Sequence, residues 1–243
     1  REPSSAGGGN PGGRAGRGSE MNRRGLLLPL VGFLLLSLGC AAAPPKKDYT
    51  AFHAANPRSI LVIPVVNNTT NVEAPGMFLS TLPIPVGERG YYVFPVNMVK
   101  RVLEDEGLSD PNLVHTADTA RLCNLFGADS VLYVSIEAWT AQYLLITTQV
   151  TVEFDYVMKD GKTGDTIWKE HKKVVYAPQQ QNSGGSPLAA LVAAAVQAAV
   201  TKAAPNYMPL ARQANAEVIN TPGVGLPAGP RHKDYGKATD SGK

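Results

Sequence analysis

The side chains best suited to metal binding or proton transfer are four histidines, and they do not form an obvious site. His53, His115, His171 and His232 are scattered along the chain. Histidines that share a metal ion commonly lie a few residues apart on one element. No pair has that spacing, so we expect neither a bound metal ion nor another cofactor.

Other polar stretches could carry chemistry, but each has a structural explanation. Gly161-Lys162-Thr163 copies the end of a phosphate-binding loop, yet the earlier glycine and the following helix are missing, which favours a hairpin turn. Glu153 and Asp155 could form a carboxylate pair on one face of a strand. A solvated sheet face accounts for them equally well, because no base or nucleophile lies near them in sequence. We therefore expect no enzyme.

The two cysteines differ in their surroundings. Cys123 lies in the apolar helical pattern ARLCNLFGAD, which predicts a buried, inert thiol. Cys40 ends an uncharged stretch that follows Arg23-Arg24. From Gly25 to Leu38 this stretch has the length of the apolar part of a secretory leader and is shorter than the roughly twenty residues of a spanning helix. Counted on to Ala43 it is long enough for a tilted membrane anchor, which stays an alternative.

The residues Ser37-Leu38-Gly39-Cys40 resemble the lipobox of bacterial lipoproteins. In that family the cysteine thiol receives a diacylglycerol, the leader is cut before the cysteine, and the new amino terminus is acylated. The resemblance implies lipidation at Cys40; a plain cleaved leader is the other alternative. Ala41 follows in place of the aspartate that marks inner-membrane retention in the family, which implies the outer membrane.

Composition divides the chain into five segments. We expect residues 1–20 to be an upstream extension or an expression remnant, 21–39 a leader, 40–57 a lipidated tether, 58–220 the folded domain, and 221–243 a disordered tail rich in Gly and Pro. The formal net charge of +3 resides in residues 1–39, which hold five arginines and two glutamates. The remaining charges balance, so no nucleic-acid-binding surface is expected.

Hydrophobic periodicity within residues 58–220 predicts a single α/β domain, with a mixed β-sheet packed by helices and two helices at its end. Residues 150–158 alternate apolar and polar, which is typical of a half-buried strand, and residues 160–165 turn the chain into an antiparallel partner. The predicted strands are 59–67, 91–95, 129–139, 150–158 and 166–176. The predicted helices begin near Asn97, Asp118, Ser186 and Asn206, and the proline-rich residues 75–90 are predicted to be irregular.

Four stretches carry a wider resemblance: RSILVIPVVNNT, GYYVFPV, FGADSVLYVSI and DGKTGDTIW. They resemble a family of bacterial lipoproteins of unknown function, the neisserial antigen-like lipoproteins, over most of residues 40–220. More distantly the chain is similar to the periplasmic domain of the curli-secretion lipoprotein and to the amino-terminal domain of the Tol-Pal propeller protein. The resemblance implies a mixed sheet closed by a hairpin and supplies no catalytic residue.

The predicted helix over residues 187–204 is unusually apolar, being built almost entirely of alanine, valine and leucine. It could be a central helix packed on the sheet. Its small residues would also permit close contact with another subunit or partner, because so apolar a helix cannot turn a large side to water. The candidate interface residues are Leu191, Ala194, Ala198 and Val200.

Two functions fit these observations. The first is a lipid-anchored, non-enzymatic component of an envelope assembly or secretion complex, with other envelope lipoproteins or further copies of itself as partners. The second is a lipoprotein that binds and activates a cell-wall synthesis enzyme. In both cases the domain would lie in the periplasm, held to the membrane by its lipid.

Overall fold

The structure is a computed structural model and describes residues 47–144, 147–176 and 207–237. Its strands are Ser59–Val62 (β1), Val66–Asn67 (β2), Tyr92–Val93 (β3), Ser130–Leu144 (β4), Thr147–Asp160 (β5) and Thr166–Tyr176 (β6). Its helices are Thr50–Ala55 (α1), Ala74–Leu79 (α2), Pro83–Glu88 (α3), Val96–Asp105 (α4), Pro111–Thr116 (α5), Thr119–Phe126 (α6) and Met208–Asn220 (α7). The predicted α/β domain with a mixed sheet and packed helices is confirmed.

All six strands belong to one sheet, in the order β3-β1-β4-β5-β6, with β2 also paired to β4. The β3-β1-β4 part is parallel and the β4-β5-β6 part is antiparallel. The predicted strand 59–67 is divided into β1 and β2, since Pro64 lies between them and has no N–H to donate to the ladder. The predicted hairpin is present, with Asp155 opposite His171 and Glu153 opposite Lys173.

The two faces of the sheet are covered to different extents. One face packs along its whole width against α1, α2, α3 and α7, and Phe154 and Tyr156 of β5 are fully buried there. The other face packs against α4, α5 and α6, but that layer covers β1 and the first half of β4 and ends at Val157. On this second face, the side chains of β5 and β6 that the helix layer does not reach therefore face solvent, as one face of an antiparallel sheet commonly does. We call this surface the open face.

A β-bulge at Glu137 changes the face of the sheet to which the later side chains of β4 point. Ile136 lies opposite Phe154 and Ala138 lies opposite Glu153, so Glu137 is an extra residue on β4. An extra residue shifts the alternation of side chains between the faces by one position. Trp139 consequently returns to the same buried cluster as Ile136.

Helix α7 follows the sequence pattern closely. Three- and four-residue spacing predicts one apolar stripe on this helix, and all of its residues are buried, namely Tyr207, Leu210, Ala211, Ala214 and Val218. Asn215 lies on the same side and forms a buried polar chain: Tyr156 Oη donates to Asn215 Oδ1 at 2.7 Å, and Asn215 Nδ2 donates to Thr81 Oγ1 at 2.8 Å. Burial raises the pKa of Tyr156 well above its ordinary value, so this hydroxyl remains a donor.

Several local predictions were wrong. The proline-rich segment 75–90 contains α2 and α3, because proline close to the start of a helix loses no hydrogen bond there. Asn97 lies inside α4, which begins after Pro95 without a side-chain cap. The apolar pattern ARLCNLFGAD predicts that Leu125 faces inward, but 42% of it is exposed, and Cys123 occupies the inward position on α6.

The predicted tether and tail are also wrong over part of their length. Tyr49 and Phe52, assigned to the tether, are buried in the main core. Leu226, assigned to the tail, is fully buried. Residues 221–237, which we call the C-terminal strap, lie against the domain through hydrogen bonds to its backbone, so the domain starts earlier and ends later than composition indicated.

Candidate functional site

Among the described residues, the largest group of interacting charges lies on the open face and joins β5 to β6. His171 Nδ1 lies 2.7 Å from Asp155 Oδ1, and His171 Nε2 lies 3.3 Å from Glu153 Oε1. Lys173 Nζ lies 2.8 Å from the other oxygen of Glu153. The sequence predicted that Glu153 and Asp155 share a face, and this is confirmed. Their basic partners, His171 and Lys173, were not predicted, because they follow from the register of the hairpin.

The surroundings of this cluster determine what it can do. The hydrogen bond that His171 donates to Asp155 raises the pKa of His171, because the carboxylate stabilises the imidazolium. The side chain of His171 is 54% exposed. Ser135 lies in the same row of the sheet, opposite Asp155, but its hydroxyl donates to Glu137 at 2.5 Å and not to His171. With both ring nitrogens held by carboxylates, His171 joins two strands and does not activate a nucleophile.

The other residues that could bind a metal ion or a phosphate lie away from this cluster. His53 lies on α1, His115 on α5, and His232 in the C-terminal strap. Within the described part of the chain, no three His, Cys, Asp or Glu side chains are placed to hold a metal ion. Gly161-Lys162-Thr163 forms the turn between β5 and β6, as predicted.

Cys123 is a buried thiol, as predicted. It is 3% exposed, and burial is the main cause that raises its pKa to about 11. At neutral pH such a thiol is protonated and is a poor nucleophile. Cys40 and the candidate interface residues Leu191, Ala194, Ala198 and Val200 lie outside the described residues.

Sequence analysis missed a junction that fixes the start of the domain. Lys47 Nζ donates to Glu170 Oε2 at 2.5 Å, to the carbonyl oxygen of Lys169, and to that of Val224 at 3.3 Å. The same ammonium group lies 4.7 Å from the ring centroid of Trp168, within the range of a cation–π interaction. Lys47 therefore joins the edge of β6 to the C-terminal strap. A single lysine in a polar stretch gives no sequence signal for such a role.

Two tyrosine hydroxyl groups of the domain bind the main chain of the C-terminal strap. Tyr49 Oη donates to the carbonyl oxygen of Gly225 at 2.5 Å, and Tyr91 Oη donates to that of Pro227 at 2.7 Å. The strap also approaches Gly90, whose φ of 93° suits glycine and where a Cβ would meet the His232 nitrogen at 2.4 Å. The two ends of the described chain are thus bound to each other across the domain.

The cavities in the described part of the chain are shallow. One of about 330 Å³ lies between α1 and the C-terminal strap and is lined by Phe52, His53, Tyr91 and Tyr235, among others. Another, of about 380 Å³, lies between α1 and the β5–β6 turn, beside Asp160 and Lys162. Neither of these two contains the charge cluster of the open face, and a third cavity, of about 160 Å³, includes only His171 of that cluster. Among the described helices, none has the length and apolar character needed to cross a membrane.

The fold and these sites define a single α/β domain with a cluster of paired charges on an exposed sheet face. The chain belongs to the family described as "Putative lipoprotein GNA1162-like", which matches residues 47–231. The match starts at the Lys47 junction and includes most of the C-terminal strap. The family predicted from the sequence is therefore confirmed.

Two proteins of Neisseria meningitidis agree with this assignment. The chain is 32% identical to "Putative lipoprotein NMB1124/NMB1162" of Neisseria meningitidis serogroup B over 171 residues, covering 70% of this chain and 79% of the relative. The crystal structure of lipoprotein GNA1162 from Neisseria meningitidis is similar at 27% identity with a TM-score of 0.50, covering 60% of this chain and all of that one. The PelC dodecamer from Paraburkholderia phytofirmans is similar at 14% identity with a TM-score of 0.44, covering 72% of this chain and 91% of that one.

Proposed function

We propose that this protein is an outer-membrane lipoprotein, acylated at Cys40, whose domain is a non-enzymatic component of an envelope assembly or secretion complex. Membership of a lipoprotein family and the leader that ends at Cys40 support the anchor. The open face supports the non-enzymatic role, since its ionisable groups are paired with each other and exposed to solvent.

The observation that carries the proposal is the Lys47 junction. It fixes the chain only seven residues after Cys40. An extended chain spans at most about 3.5 Å per residue, so the fixed point lies within roughly 25 Å of the acylated cysteine. The tether predicted from the sequence ran to residue 57 and would have allowed more than twice that distance. The domain is therefore held close to the bilayer.

This short reach favours partners on the same membrane. A domain of this length has a radius of gyration of about 16 Å, so its far side stands on the order of 65 Å from the lipid anchor. An activator of a cell-wall synthesis enzyme would need that enzyme to come within this distance. The assembly role has no such requirement, and we favour it for that reason.

Substitution of Cys40 tests the anchor. The Cys40→Ser protein should lose labelling by an alkyne-bearing fatty acid and leave the outer-membrane fraction, while the wild type keeps both properties. A Cys123→Ser variant is the matched control and should label like the wild type, because the Cys123 thiol is buried. If Cys40→Ser still labels and still fractionates with the membrane, the anchor lies elsewhere.

Affinity purification of the tagged lipoprotein from detergent-solubilised envelopes, followed by mass spectrometry, tests the role. We expect other outer-membrane or secretion components to copurify with the wild type and to be lost with Cys40→Ser. Copurification of a cell-wall synthase in their place would support the activator and contradict the assembly role.

A further inference from the structure

We propose that the outer edge of β6 is a docking site at which an extended, acidic segment of a partner protein joins the sheet as an added strand. The inference rests on the proposed assembly function and deepens it, because it names the surface and the chemistry of the partner. Addition of a strand to an exposed sheet edge is a common mode of peptide recognition.

The direction of the main-chain groups of β6 is the first support. The carbonyl of Lys169 accepts a hydrogen bond from Lys47, which lies outside the sheet. In an antiparallel strand the main-chain groups point alternately to the two sides, so those of His171, Lys173 and Val175 point the same way as those of Lys169. The register from Trp168 to Tyr176 is regular, with each residue paired in turn to β5. These three residues make no main-chain hydrogen bond to a described residue outside β5.

The opposite edge of the sheet, at β3, is short and is flanked by the C-terminal strap. There β3 is only two residues long, and the C-terminal strap runs beside the residues just before it. Gly229 donates to the carbonyl oxygen of Arg89 at 2.8 Å, and Arg231 donates to that of Gly90 at 3.1 Å. Short edge strands and covering segments are the usual protection against unwanted pairing. The β6 edge is eleven residues long. Near His171 it adjoins the end of α7 and the start of the C-terminal strap across a cavity of about 160 Å³, but no described segment outside β5 hydrogen-bonds its main chain beyond the Lys47 junction.

Charge indicates which strand this edge accepts. The β6 residues whose main-chain groups point outward include Lys169, His171 and Lys173. Their side chains lie on the open face at every second position, which is also the side-chain period of an extended partner strand. Lys169 makes no ion pair with a described residue. If two copies paired their β6 edges antiparallel, registers that bring these residues together would set Lys or His opposite Lys or His, which is unfavourable. His171 and Lys173 are already paired with Asp155 and Glu153 of β5, so carboxylate and cation alternate across the sheet. A carboxylate on the next strand outward continues this alternation and also meets Lys169. An acidic strand therefore fits this edge, whereas a second copy would place cation beside cation.

The position of the edge fits the proposed assembly. Lys47 binds Lys169 at the start of the open stretch and follows Cys40 by seven residues in the chain. The edge therefore begins beside the residue at which the described chain starts. A partner held on the same membrane could reach it without spanning a long distance.

The test uses the full-length protein purified in detergent and two synthetic octapeptides, one alternating Glu with Val or Thr and one with Lys in place of Glu. We expect the acidic peptide to slow hydrogen exchange at the amides of His171, Lys173 and Val175, and the basic peptide to leave them unchanged. Val175→Pro removes an outward N–H without touching the ladder to β5, a position where an edge strand tolerates proline. It should weaken acidic-peptide binding about tenfold, the effect of one lost hydrogen bond.

Val175→Thr is the matched control, since it changes the side chain and keeps the N–H; it should bind the acidic peptide like the wild type. Equal binding by Val175→Pro and Val175→Thr would overturn the inference, as would failure of the acidic peptide to protect these amides at millimolar concentration. Equal protection by both peptides would overturn the charge preference. None of these measurements depends on lipidation, so they fail independently of the Cys40 experiments.

Discussion

At the scale of single residues, two histidines lie in opposite electrostatic environments. His171 is exposed between two carboxylates, and its hydrogen bond to Asp155 raises its pKa. His115 Nε2 lies 3.0 Å from the carbonyl oxygen of Pro64 against the ring of Tyr133, and burial lowers its pKa. Folding therefore favours the charged form of one histidine and the neutral form of the other.

The pH dependence of His171 follows with a definite sign. Its folded pKa lies above its unfolded value of about 6.5, so its contribution to stability is complete below that value and is lost as pH rises through the folded pKa. Asp155→Asn should lower the pKa of His171 in an NMR titration. His115, whose midpoint lies below its ordinary value, should be unchanged and serves as the internal control. An unchanged titration of His171 in Asp155→Asn would show that the carboxylate does not hold the imidazolium.

The buried chain of Tyr156, Asn215 and Thr81 gives a second prediction at this scale. Tyr156→Phe leaves Asn215 Oδ1 without its donor in a fully buried position. An unsatisfied buried acceptor costs about 1–3 kcal/mol, so urea denaturation should show a loss of that size in the free energy of unfolding. Tyr92→Phe is the control; Tyr92 is 44% exposed, and its loss should stay within about 0.5 kcal/mol. Equal stabilities for the two variants would mean that the hydrogen bond is not formed.

At the scale of elements, the sequence predicted those parts of the fold whose hydrophobic pattern is long. Strand β5 alternates over nine residues, and with the turn at Gly161-Lys162-Thr163 this predicted the β5–β6 hairpin. The register that sets Asp155 opposite His171 includes an irregularity between Met158 and Lys159, which the pattern does not show. The C-terminal strap was missed because Leu226 is its only large aliphatic side chain that is fully buried, which gives no periodicity. Helix α1 has six residues, fewer than two turns, and its burial depends on contacts distant in sequence.

The C-terminal strap should be a structural part of the domain. Leu226→Ala removes a fully buried side chain and should lower the free energy of unfolding by about 2–5 kcal/mol, the usual range for this substitution in a core. Lys233→Ala, at an exposed position of the same strap, should change it by less than about 0.5 kcal/mol. Chemical denaturation of both variants decides the matter. A small effect for Leu226→Ala would mean that the strap detaches at little cost.

At the scale of the whole molecule, the Lys47 junction and the C-terminal strap limit where partners can bind. Lys47, the start of the β6 edge and the start of the C-terminal strap lie together, since Lys47 contacts both Lys169 and Val224. A partner strand at β6 would extend the sheet sideways and leave the helices on both faces in place. Assembly through this edge therefore requires no rearrangement of the core.

A self-contact through the predicted helix 187–204 is a separate prediction at this scale. Its surplus of small apolar residues requires either full burial in the core or a partner. If a partner covers Ala198, then Ala198→Lys should leave the protein folded and abolish self-association, because a lysine would be buried without a counter-charge at the contact. Gln197→Lys is the matched control, since that position is already polar and should retain association. Size-exclusion chromatography with light scattering and thermal melting on the Cys40→Ser protein would decide. A strictly monomeric parent protein, or an Ala198→Lys variant without a melting transition, would return the helix to the core.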